Sequence, residues 1–133
     1  MDIPNDNNIE IKVLAALMNT SDAIHIIASV LQPSSFYTND NRMIYVTCIE
    51  LYNASKIPDM SLVAAELKGK VDLITISNIA GEFCDEMVLP DYCRVLKELE
   101  MRRDMLAGIS KMQKAASLEY DIFDLTAEVS SYI

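Results

Sequence analysis

Apolar positions recur at helical spacing along nearly the whole chain. Ile9, Val13, Ala16 and Leu17 follow Asn5 and Asp6, whose side chains suit a helix N-cap, and predict a first helix ending near Met18. Thr20 or Ser21 is placed to cap a second, with Ala23, Ile26, Ile27, Val30 and Leu31 as its apolar side and Pro33 as its stop. Phe36 and Tyr37 then fall in a loop without neighbouring Lys or Arg clusters, the setting of a core plug and not of a base-stacking platform. Asn39 and Asp40 are expected to cap a third helix carrying Ile44, Thr47, Cys48 and Leu51, with Tyr45, Ile49 and Tyr52 beside them. After Ile57-Pro58-Asp59, Ser61 opens a short helix through Leu62, Val63 and Leu67 to Gly69. Residues 71–80 contain β-branched Ile74, Thr75 and Ile76, but a lone strand has nothing to pair with, so the segment is assigned as a short helix on Leu73, Ile76, Ile79 and Ala80, ended by Gly81.

The longest element comes last. Residues 90–117 open on Pro90, which suits a first helical turn, and hold no other proline and a single interior glycine, Gly108. Such a helix spans roughly 40 Å at about 1.5 Å per residue, whereas a compact domain of this length has a radius of gyration of about 14 Å. Part of the helix is therefore expected to project. Its apolar stripe also turns: Tyr92, Val95, Leu96 and Leu99 share one face, while Met101, Met105, Ile109, Met112 and Ala116 gather roughly a third of a circle or more away. Arg94, Lys97, Glu98 and Glu100 are read as the solvated back of the first half, and Ser110, Lys111, Gln113 and Lys114 as that of the second. A further helix is expected over residues 121–132, carrying Ile122, Leu125 and Val129. The predicted class is all-α: a compact multi-helix body over residues 1–88, followed by a long helix and a shorter one that form a projecting hairpin over 89–133.

Composition narrows what such a protein does. Hydrophobic residues make up 51% of the 133, and three glycines and four prolines leave little material for a β-sandwich or barrel. The net charge of −9, with no block of basic residues, disfavours direct DNA binding by this chain alone. No apolar run reaches the roughly 20 residues of a membrane span, and the N-terminus lacks the pattern of a secretory signal, so a cytoplasmic protein is expected. Cys48, Cys84 and Cys93 have no metal-ligand or disulfide-framework spacing and are expected as free thiols.

Reactive constellations are equally sparse. His25 is the sole histidine and falls on the polar side of the second helix near Asp22 and Ser29, a surface position. Gly69-Lys70 fails as a phosphate loop because Ala64 stands where the first glycine belongs and Val71 where Ser or Thr is required. No catalytic, cofactor-binding or metal-ligating residue is assigned in this chain.

The order of several short segments resembles the N-terminal domain of DnaB-type replicative DNA helicases. These are Ile9-Glu10 with Val13-Leu14-Ala15-Ala16-Leu17, then Phe36-Tyr37, Arg42-Met43-Ile44-Tyr45, Ile57-Pro58-Asp59, Leu62-Val63-Ala64-Ala65-Glu66-Leu67, and Tyr92 at the start of the long helix. Departures include Lys12 at a commonly acidic position, no Gly-Gly after the fourth helix, and Ser55-Lys56 where a glycine is usual. The resemblance implies a non-catalytic collar and assembly domain, excised from a parent whose motor domain carries ATP and Mg. It implies hairpins that pair subunits into dimers, three dimers forming a hexameric ring, and contact with primase. The subunit interface is then expected at Met105, Ile109, Met112 and Ala116, with Ile122, Leu125 and Val129 from the last helix. Two alternatives are the helicase-binding domain of a primase and a stand-alone helical adaptor.

Overall fold

The computed structural model describes residues 2–117, in which six α-helices and one 3₁₀ turn occur and no strand. The helices are α1 (Asn7–Asn19), α2 (Ala23–Val30), α3 (Asn39–Asn53), α4 (Met60–Glu66), α5 (Leu73–Ala80) and α6 (Leu89–Ala115), with the 3₁₀ turn at Pro33–Ser35 between α2 and α3. The all-α class expected from periodicity is what the structure shows, including the helix in residues 71–80. The helix expected over residues 121–132 lies outside the described residues.

Helix starts are set by short polar side chains that satisfy otherwise orphaned N–H groups. Asp6 accepts from Ile9 N at 3.1 Å, as the sequence suggests. Elsewhere the cap sits one or two residues away from the expected one. Asp22, not Thr20 or Ser21, precedes α2, and it makes no side-chain capping bond. Thr38, not Asn39 or Asp40, caps α3 by accepting from Asn41 N at 3.3 Å, and Asp59, not Ser61, caps α4 by accepting from Leu62 N at 2.8 Å. In the last two cases the preferred residue lies just beyond a stretch of extended backbone, where the N-cap must sit, while the rejected candidates are already inside the first turn.

The chain divides into two compact units, Asn5–Glu100 and a second that joins the residues up to Pro4 to those from Met101 onward. The first, Asn5–Glu100, holds one core. Val13, Leu14 and Leu17 of α1, Ala23, Ile24 and Ile27 of α2, Ile44, Tyr45, Cys48 and Leu51 of α3, Val63 and Leu67, Ile76 and Ile79, and Leu89, Cys93 and Leu96 of α6 all bury in it. Phe36 is fully buried and its ring lies 4.7 Å from that of Tyr45, so it is the plug anticipated from its loop position, whereas Tyr37 stays largely exposed. Ile26 and Val30, expected on the apolar side of α2, are exposed; the inward line runs instead through Ile24 and Leu31. Leu73 of α5 is likewise exposed.

The end of α3 closes in a left-handed turn. Ser55 N donates to Tyr52 O and Lys56 N to Leu51 O, the paired bonds of a Schellman motif, which requires a left-handed residue at Ser55. Ser55 adopts φ 62°, a conformation in which any Cβ is strained and glycine is not. Ser55→Gly is therefore expected to raise stability by about 0.5–1 kcal/mol, the left-handed penalty relieved less the added freedom of the unfolded chain, measurable as a higher urea midpoint with unchanged slope.

Candidate functional site

Helix α6 is 27 residues long and carries the site. Its first half faces the core of the first unit along Leu89, Cys93, Leu96 and Glu100, all buried, with Tyr92, Val95 and Leu99 half-buried beside them. Glu100 thus contradicts its assignment to the solvated back of the helix. The other three residues of that set differ among themselves: Arg94 and Glu98 are exposed and Lys97 is half-buried.

A buried carboxylate is costly unless its oxygens are saturated by donors. Around Glu100 they are. Gln32 Nε2 and Ser34 Oγ donate to Oε2 at 2.6 and 2.5 Å, and Ser35 Oγ and Lys97 Nζ donate to Oε1 at 2.7 and 3.2 Å. Burial alone pushes this carboxyl upward, but the bonds from Ser34, Ser35, Gln32 and Lys97 together outweigh it and hold the group at about 2. Glu10, equally buried on α1, accepts from Tyr37 N and Asn41 Nδ2, both at 3.0 Å. Arg42 then donates to the carbonyls of Phe36 and Tyr37. The segment carrying Phe36 is therefore gripped by two carboxylates and a guanidinium, and Glu100 ties it to α6.

These two glutamates are what sequence reasoning missed. A trace was available: Glu100 continues the i, i+3, i+7 row of Cys93 and Leu96, and Gln32, Ser34 and Ser35 cluster just before the buried Phe36. A helical wheel alone does not connect them.

Past Glu100 the character of α6 changes. Met101, Met105 and Ile109 are 57%, 65% and 45% exposed, Ala116 is exposed, and Met112 is half-buried. Four of the seven expected interface residues therefore lie among the described residues: Met105, Ile109 and Met112 share one side of α6, and Ala116 follows its last residue; Ile122, Leu125 and Val129 lie outside them. Gly108 and Ala115, seven residues apart, are buried. Within this second unit Arg103 Nη1 donates to Pro4 O at 2.9 Å.

Other places for chemistry are poorly furnished. An open groove of about 760 Å³ lies among the end of α1, the start of α2 and the turn after α3, with Asp22, His25, Tyr52 and Lys56 on its walls. His25 meets Tyr52 edge-on, with ring centroids 5.7 Å apart and Tyr52 Oη 3.5 Å from Nε2. Burial pushes the thiols of Cys48 and Cys93 up to about 12 and about 11, so both are protonated and unreactive near neutral pH. Tyr45, raised by burial to about 12, donates to Leu31 O at 2.8 Å. Among the described residues, no helix is long and apolar enough to cross a membrane.

The profile of the family described as DnaB-like helicase N terminal domain matches residues 2–98, well over half of the chain. The chain belongs to the DnaB-like helicase N-terminal domain family. Among solved structures, the N-terminal domain of DnaB helicase from Mycobacterium tuberculosis superposes with a TM-score of 0.90 at 18% sequence identity, covering 98% of each chain. Comparison with curated protein sequences finds no match. At that identity the likeness speaks for the fold, and it agrees with the DnaB-like assignment made independently from the sequence profile.

The Glu100 cage makes a measurable claim on this DnaB-like domain. Glu100→Gln keeps the shape but loses the charge, and is expected to cost about 2 kcal/mol near neutral pH, the scale of hydrogen bonds to a charged group. The folded carboxyl titrates at about 2, below its ordinary 4.5, so its contribution is complete above pH 4.5 and disappears as the pH falls toward 2. In urea unfolding followed by circular dichroism, the gap between wild type and variant should narrow across that window.

Proposed function

We propose that this chain is the non-catalytic collar and assembly domain of a replicative DNA helicase, which pairs with a second copy through the second half of α6. What supports the reading is the exposed row of Met101, Met105 and Ile109 on a helix whose preceding turns are buried, in a chain of the DnaB-like family. A soluble helix that leaves three large apolar side chains in water along one side has surface to bury. Methionine suits a contact between copies because its unbranched thioether adapts to the facing surface. Met112 and Ala116 extend the row, and Ile122, Leu125 and Val129 complete the proposed interface.

In this reading dimers built through that face assemble as a trimer of dimers, the collar supports hexamer formation, and it gives primase a place to dock. Catalysis belongs to a motor domain that binds ATP and Mg; the domain itself holds no cofactor, contacts DNA weakly if at all, and works in the cytoplasm. The family assignment favours this over the helicase-binding domain of a primase and over a stand-alone adaptor.

Ile109→Asp puts a charge into the proposed contact without disturbing the core of the first unit. Sedimentation velocity over a range of concentrations is expected to show a dimer for wild type and a monomer for the variant, with helicity unchanged. A wild type that stays monomeric at high concentration, or a variant that unfolds, contradicts the proposal.

A further inference from the structure

We propose that the turn between α5 and α6 is a second docking surface, separate from the pairing face, for a protein segment that presents an apolar seat rimmed by lysine or arginine. The observation behind it is a pair of side chains held out in water by a turn that is otherwise well secured. Phe83 and Met87, four residues apart, are 78% and 86% exposed. Isolated exposed apolar residues are ordinary on protein surfaces, but these two stand on one short turn between buried anchor points.

The anchors are specific. Gly81 N donates to Ser77 O at 3.0 Å and Glu82 N to Ile79 O at 3.1 Å, closing the end of α5. Cys84 packs against the core immediately after Phe83, and Leu89 is buried immediately after the turn. Between them Met87 N donates to Asp85 Oδ1 at 2.9 Å, Val88 N to Asp85 O at 3.1 Å and Leu89 N to Glu86 O at 3.3 Å. Because the backbone is already shaped, a partner closing over Phe83 and Met87 has little ordering entropy to overcome.

Charge selects the occupant. Glu82, Asp85 and Glu86 are exposed around the two apolar side chains, and from Asp72 to Asp91 the sequence contains five acidic residues and no lysine or arginine. A second copy, itself at −9, and an anionic lipid surface are both repelled by such a rim. A protein segment with lysines or arginines flanking an apolar stripe is complementary to it in both respects. Lys12 of α1, whose charge reaches Cys84, is the basic neighbour of this acidic turn. The surface belongs to Asn5–Glu100, whereas the pairing face begins at Met101, so the two proposals stand or fall separately.

The test titrates the full chain into a fluorescently labelled amphipathic peptide with a leucine stripe flanked by lysines, followed by anisotropy at low and moderate salt. A leucine–glutamate analogue and anionic vesicles serve as comparison probes. The wild type is expected to bind the lysine peptide and neither comparison probe. The Phe83→Ser/Met87→Ser double variant, which leaves every charge in place, should weaken binding by at least about 10-fold, as loss of interface anchors does. Glu82→Lys/Glu86→Lys should weaken it as well, and Ile57→Ser, an exposed apolar residue elsewhere, should leave it unchanged. Binding by the serine double variant within about twofold of wild type, which is about 0.4 kcal/mol, would overturn the proposal. So would equal loss in Ile57→Ser, binding of the glutamate peptide or vesicles, or no binding of the lysine peptide at all. Should the serine variant lose helicity, the charge-reversal pair decides the matter alone.

Discussion

The carboxylate of Glu100 fixes how α6 is rotated about its own axis. A helix held only by leucines tolerates some rotation, because apolar contacts are non-directional. Three donors from outside the helix do not: Gln32, Ser34 and Ser35 each demand a particular direction from the carboxylate, and Lys97 of α6 itself adds a fourth bond. Once Glu100 is set inward, the period of about 3.6 residues per turn places the remaining side chains of the helix. Leu96 and Cys93 fall on the buried side with it.

The same cage joins α6 to the segment that carries the core plug. Phe36 lies between the residues that serve Glu100 and those that serve Glu10, and Arg42 holds the carbonyls at its own position. Each of these charged groups is bonded, and among the described residues no buried side-chain nitrogen or oxygen lacks a partner. Buried charges of this kind add directional specificity at a desolvation cost that only full pairing offsets. The irregular stretch between α2 and α3 is therefore bonded to α1, α3 and α6 through Glu10, Arg42 and Glu100.

Much of this was legible in the chain because the signals are local. The 3.6-residue spacing of Ile44, Cys48 and Leu51, the break at Pro33 and the caps at Asp6 and Gly81 all act over a few residues, and the lack of any second strand to pair with was enough to choose helix over strand for the β-branched 71–80 segment. What periodicity did not convey was partnership across distance. Glu100 depends on residues 65 to 68 positions away, so a wheel drawn on α6 alone assigned it to water. Ile26, Val30 and Leu73 went wrong for the related reason that an apolar residue need not be covered, and hydropathy does not say which side of a short helix meets its neighbour. For the candidate interface, the turned stripe was visible in the sequence because it rests on the spacing of Met101, Met105 and Ile109 alone. The exposed Phe83 and Met87 were not, since a turn has no periodic face from which to read exposure.

The central claim is that the methionine row of α6 meets the same row on another copy. Isotope-filtered nuclear Overhauser spectroscopy on a mixture of methyl-labelled and unlabelled protein addresses it directly. The account predicts intermolecular contacts to the methyl groups of Met101 and Met105 and to Ile109, and none to Met87. A concentrated sample in which those three methyls show no intermolecular contact, or in which Met87 carries the contacts instead, would contradict it.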